Sequence, residues 1–167
     1  MENTKSNSKL IRGYLLKPGY LWWLSCQAHK NNNELLASVI KAFNFLVFHA
    51  LLPYQAEVEK DLRLEHYGLS IVSHPNVKIG QRVKIYHHVT LAAETWIGSE
   101  HRIFIGDDVM IGAGAIIIGQ GNKSLHIGNG AKIGANAVVT KDVLPGQTVV
   151  GVPARPLEID SSSSQKT

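Results

Sequence analysis

A chain of 167 residues is long enough for one domain with its own core, and 18% charged against 44% hydrophobic residues excludes intrinsic disorder. A formal charge of +4, with Lys and Arg scattered and no recognition motif, excludes a nucleic-acid footprint and suits a small anionic ligand. The lone Cys26 excludes a disulfide framework and points to a reducing, cytoplasmic setting, and the polar residues 1–9 lack the apolar core of a signal peptide.

Residues 1–55 read as helical. A short apolar segment, 10–16, is stopped by Pro18 and Gly19, and residues 20–30 carry Trp22, Trp23 and Leu24. The Asn31, Asn32, Asn33 run is a break. Residues 34–52 form the best helix candidate, with Leu35, Val39, Ala42, Leu46 and His49 near one face, and Pro53 ends it. Such a segment serves as a cap over the open end of whatever follows. The alternative is a peripheral membrane contact through Phe43, Phe45, Val47, Phe48, Leu51 and Leu52, although Lys41, Asn44 and His49 interrupt the run too often for a span.

From residue 56 the pattern changes. Branched aliphatic residues recur every six positions: Ile79, Ile85, Leu91, Ile97; then Ile105, Ile111, Ile117; then Ile127, Ile133, Val139. A small or apolar residue follows four places later in most units, as at Val83, Val89, Val109, Ala115, Ala131 and Ala137. A period of six fits neither a helix nor a half-buried strand. It fits a hexapeptide solenoid, in which three short strands and their turns close one triangular coil and each aliphatic residue stacks on its copy one coil away. The solenoid is expected to begin near Val58, with Leu64 next and Ile71 and Val72 bridging to Ile79 through an extra residue in 70–76. About two residues bulge out around 99–104 and about four around 121–125. The divisions expected are a helical segment 1–55, a solenoid 56–158 and a flexible tail 159–167 rich in Ser. Exposed flanks of a triangular prism suit pairing with copies of themselves, so a homotrimer is expected.

The segment 105–157, IGDDVMIGAGAIII…IGNGAKIGANAVVTKDVLPGQTVVGVPARPL, resembles the hexapeptide-repeat acyltransferases. The block 65–93, EHYGLSIVSHPNVKIGQRVKIYHHVTLAA, is similar to the serine O-acetyltransferase branch and the related capsule and exopolysaccharide O-acetyltransferases. The resemblance implies a mainly β fold, a left-handed parallel β-helix with an N-terminal α-helical cap. It also implies direct transfer of acetyl from acetyl-CoA to a hydroxyl, with a neutral imidazole taking the hydroxyl proton because an alcohol is a poor nucleophile at neutral pH.

On that resemblance His66 and His101 are the expected catalytic pair. His66 matches the family histidine of the H-x-G segment, and His101 lies in the loop that carries its second histidine, where an ungapped comparison places Arg102 instead. Glu65 stands for the acidic residue that meets the acceptor, and Arg102 is grouped with it as substrate-binding. The carboxylate that orients the first histidine falls on Leu51, which cannot serve, and that departure moves the expected acceptor from free serine to a sugar hydroxyl of a surface polysaccharide or its precursor. Ala113 and Ala135 match the small residues of the CoA groove, while Thr140, Lys141 and Arg155 match those that hold the distal pantetheine and the nucleotide phosphates. His87 and His88, alternating inward and outward on a regular coil, are assigned structural roles, with one of them lining the cleft as the alternative, and His74 is assigned a turn. No metal is expected, because a zinc site on this scaffold needs three ligands and only two histidines offer themselves. The alternatives are a serine O-acetyltransferase of cysteine biosynthesis and a non-catalytic scaffold.

Overall fold

The computed structural model describes residues 17–158. The expected apolar segment 10–16 and the tail 159–167 lie outside the described residues.

Two helices open the described chain, α1 over Pro18–Lys30 and α2 over Glu34–Phe48. Pro18 opens α1. Its fixed φ suits the first helical turn, where its missing N–H costs nothing. The Asn break has a local cause: the Asn33 side chain caps α2 by accepting from the Leu36 N–H at 3.1 Å. The helix ends at Phe48, short of the expected residue 52, because His49 turns into the left-handed region at φ 54°. Trp22 and Cys26 of α1 join the solenoid core beside Leu52 and Val58, and the Trp22 indole N–H donates to the Pro53 carbonyl at 2.8 Å. The helices therefore cap the first coil. No helix among the described residues is long and apolar enough to cross a membrane, and of the apolar side chains named for a peripheral contact Phe43, Phe45, Val47 and Leu51 are exposed while Leu52 is buried.

Three sheets of very short strands follow. Sheet one holds β1 (Glu57–Val58), β4 (Val77–Ile79), β7 (Ile103–Ile105) and β10 (Leu125–Ile127). Sheet two holds β2 (Arg63–Leu64), β5 (Lys84–Ile85), β8 (Met110–Ile111), β11 (Lys132–Ile133), β13 (Thr148–Val150) and β14 (Arg155–Pro156). Sheet three holds β3 (Val72–Ser73), β6 (Thr90–Ala93), β9 (Ile116–Gly119) and β12 (Val138–Val139). All pairings are parallel except that of β14 with β13. The chain winds through the sheets in turn as a left-handed parallel β-helix.

The register stacks the repeat's aliphatic residues as the period of six requires. Val58, Ile79, Ile105 and Ile127 form one inward ladder; Leu64, Ile85, Ile111, Ile133 and Val149 form the second. In the third, Leu91, Ile117 and Val139 are topped by Ser73, so neither Ile71 nor Val72 fills that corner position. Each buried aliphatic side chain contributes about 1.5–3 kcal/mol relative to exposure. The small partners Val83, Val89, Val109, Ala115, Ala131 and Ala137 are fully buried at the corners between strands.

Departures from the period are ejected, but two lie elsewhere than expected. The extra residues of the first coil fall between β2 and β3, around a 3₁₀ turn at Glu65–Gly68, and not in 70–76. Ile97 is 60% exposed and belongs to no ladder, so the second insertion is a longer loop, 94–102, between β6 and β7. The third, 120–124 between β9 and β10, lies where the spacing puts it.

The outward faces differ in chemistry. Sheet two presents Arg63, Lys84, Met110 and Lys132 in one row, whereas sheet three presents Val72, Thr90, Ile116 and Val138.

Candidate active site

The turn after each sheet-two strand forms one edge of the prism, and the site is built there. The spacing of 21 that pairs Arg63 with Lys84 and Leu64 with Ile85 brings residue 66 over residue 87. Below it the Gly114 N–H donates to the His87 carbonyl at 3.0 Å, and the Asn136 N–H to the Ala113 carbonyl at 2.8 Å. His66, His87, Ala113 and Ala135 therefore descend this edge one coil at a time. Small residues are required below, since a Cβ on Gly112 would lie 2.6 Å from the Ala135 nitrogen. The result is a smooth edge with a histidine at its upper end.

His66 and Tyr67 both occupy the left-handed region, at φ 52° and 57°. Two consecutive non-glycine residues there cost on the order of 1–3 kcal/mol each, and the first-coil insertion keeps them so. The His66 ring meets the His87 ring edge-on at 4.9 Å between centroids and 81° between planes, with Tyr86 at 5.9 Å. Tyr67 stacks on Phe48 of α2 at 6.1 Å, so the cap reaches this turn. Glu65 does not approach His66; its carboxylate pairs with Arg63 at 3.0 Å. Beside the edge runs a cleft of about 800 Å³ along the outward face of sheet two, lined by six Lys and Arg against three carboxylates (Lys17, Lys60, Arg63, Arg82, Lys84 and Lys132; Asp61, Glu65 and Asp108). Its charge favours an anionic ligand.

His101 lies at a different edge. It precedes β7 of sheet one, so the width of sheet three separates it from His66 within one chain. The pair expected from the sequence is not brought together in a single protomer. Arg102 is engaged in structure: its Nη1 lies 2.5 Å from Glu57 Oε1, and that hydrogen bond holds the Glu57 carboxyl below the usual carboxylate range. Glu65, which also lines the cleft, is paired with Arg63, and Arg102 with Glu57.

Thr140, Lys141 and Arg155 do converge, on a pocket of about 250 Å³ at the C-terminal end of the solenoid, where β14 folds back on β13. Ala113 and Ala135 lie on the His66 edge instead. Among the described residues no group of three or more His, Cys, Asp and Glu is disposed to hold a metal ion.

Two residues beside the expected positions carried no motif. His87 was legible only through the 21-residue spacing that places it under His66. Asn76, buried on the turn before β4, organises the 94–102 loop: its amide donates to the carbonyls of Trp96 at 2.8 Å and His101 at 3.4 Å, and its carbonyl accepts from the Gly98 N–H at 2.9 Å.

A family model described as the hexapeptide repeat of succinyl-transferase matches residues 102–141. A serine acetyltransferase of Helicobacter pylori is 35% identical over 150 residues, covering 87% of this chain and 85% of that one. One from Mycobacterium tuberculosis is 40% identical over 89 residues, 53% of this chain and 37% of that one. Among solved structures, the Neisseria gonorrhoeae serine acetyltransferase in complex with serine superposes with a TM-score of 0.73 at 34% identity, covering 85% of this chain and 58% of that one. A serine acetyltransferase in complex with CoA gives a TM-score of 0.70 at 28% identity, covering 82% and 54%. The chain thus spans little more than half the length of these solved proteins.

These relatives correct the expected acceptor. The sugar reading rested on the missing carboxylate at Leu51, a residue that in the structure bridges to Val72 on the rim of sheet three. One absent side chain does not outweigh a likeness that runs through 87% of the chain to proteins named for serine, and the saccharide acceptor and polysaccharide branch are withdrawn. The chain belongs to the hexapeptide-repeat acyltransferases, in their serine acetyltransferase-like branch.

Proposed function

We propose that the protein transfers the acetyl group of acetyl-CoA to the hydroxyl of serine, with His66 as general base. One observation carries this reading: a histidine held in a strained turn stands in line with the smooth edge of Ala113 and Ala135, beside a cationic cleft. The likeness to serine acetyltransferases solved with CoA and with serine supports it. The His66 imidazole takes the hydroxyl proton as the oxygen attacks the thioester carbonyl. When the C–S bond breaks, the imidazolium returns that proton to the departing thiolate, so the step balances with no acyl-enzyme. Backbone N–H groups of the turns face the developing oxyanion. Backbone amides and small side chains along the Ala113 and Ala135 edge receive the pantetheine arm, and Lys141 and Arg155, with Thr140, meet the nucleotide phosphates.

The working unit in this reading is a homotrimer. The apolar outward face of sheet three, with Val72, Ile116 and Val138, suits burial against copies of itself. Packing three prisms on that face sets the His66 edge of one chain beside the His101 edge of the next, so the cleft that neither edge completes alone becomes shared. The test is release of free thiol from acetyl-CoA. Release is expected on addition of L-serine, above the hydrolysis seen without an acceptor; no increase with L-serine would defeat the reading.

A further inference from the structure

We infer that His87 is a positioning residue for His66, occupying the role that a carboxylate would otherwise take. This rests on the reading of His66 as the base.

A general base needs its ring held, and the second ring nitrogen occupied, so that the reacting nitrogen stays bare and aimed. The candidates for that service are few. Leu51 has no acceptor. Glu65, next to His66, is drawn to Arg63. Tyr86 lies 5.9 Å away, tilted. His87 remains, 4.9 Å away and edge-on, directly beneath His66 on the same edge.

His87 also carries an unexplained cost. Its Nδ1 is buried with no hydrogen-bond partner, a state that costs about 1–3 kcal/mol. Were the ring there only to fill space, Phe would fill it without that penalty. A buried, unpartnered nitrogen on the ring that packs edge-on against the base is accounted for if it receives a hydrogen bond in the working state. A small turn of either ring lets the His66 N–H donate to the His87 nitrogen, leaving the other His66 nitrogen bare for the serine hydroxyl. His87 is itself fixed from both sides: its carbonyl accepts from Gly114 N–H, and its ring packs on His88 at 5.1 Å.

The experiment compares His66→Ala, His87→Phe, His87→Gln and His87→Ala in thiol release with acetyl-CoA and L-serine, with folding followed by thermal melting. His87→Phe keeps the ring and loses the acceptor; His87→Gln keeps an acceptor and loses the ring. The inference expects His87→Phe to melt no lower than the wild type, to keep its KM for acetyl-CoA, and to lose about 30- to 100-fold in kcat. His87→Gln should retain at least several-fold more kcat than either Phe or Ala. Wild-type kcat in His87→Phe overturns the proposal. Should the Phe variant not fold, equal kcat in the Gln and Ala variants overturns it, and Gln well above Ala supports it. His66→Ala separates the two readings: if it is inactive while His87→Phe is fully active, only the role of His87 fails, and if His66→Ala is itself active, both fail.

Discussion

At the residue scale, burial and neighbours set the chemistry more than residue type does. Burial in the α1 face pushes the Cys26 thiol up to about 12, so its nucleophilic form is scarce at neutral pH. In the folded protein Cys26 should react with a disulfide reagent at least about 100-fold more slowly than in denaturant. Equal rates would show that the α1 face opens on the timescale of the assay. Glu57 behaves oppositely: the Arg102 hydrogen bond lowers its carboxyl below the ordinary 4.5, so the ion pair contributes stability above that pH and loses it as pH falls through the folded value. The pair is partly exposed, so the contribution is about 1 kcal/mol at most. Wild type should melt higher than Arg102→Met near neutral pH, with the gap closing as the pH falls below 4.5 and through the folded value. A gap that does not vary with pH would mean that Arg102 acts by packing alone.

At the element scale, strands of two to four residues hold because each of β1 to β13 is one rung of an inward ladder. That much was legible, since the period of six marks every rung from Ile79 to Val139 except where the chain leaves the coil. Misplaced elements share one physical cause. Ile71 and Ile97 are aliphatic and fall near phase, yet one lies between β2 and β3 and the other lies exposed on a loop, because an insertion resets the phase without changing composition. The loop 94–102 depends on Asn76, a residue that no repeat marks. Replacing Asn76 by Ala removes three hydrogen bonds at a buried position and should cost about 1–3 kcal/mol, with faster tryptic cleavage after Arg102. Unchanged melting and cleavage would show that the loop is held by other contacts.

At the scale of the whole molecule, the solenoid converts a linear repeat into edges with distinct chemistry. Ala113 and Ala135 lie 22 residues apart, yet they stand on adjacent rungs, and His66 shares their edge because the first-coil insertion occurs at that turn. The motif residues His66, Ala113 and Ala135 therefore share one edge, while His87, whose ring packs on His66, carried no motif. Glu65 and Arg102 carry ion-pair partners in the structure, Arg63 and Glu57, that the sequence did not mark. His101 lies in the loop that resembles the family's second-histidine region, and it stands on another edge, which is why one prism alone does not explain the pair.

The account turns on His66, so its most direct test is the kinetics of His66→Ala with acetyl-CoA and L-serine. The variant should fold and bind CoA with nearly unchanged affinity while kcat falls by about 10²–10⁴. Turnover at the wild-type level in a folded His66→Ala protein would contradict it.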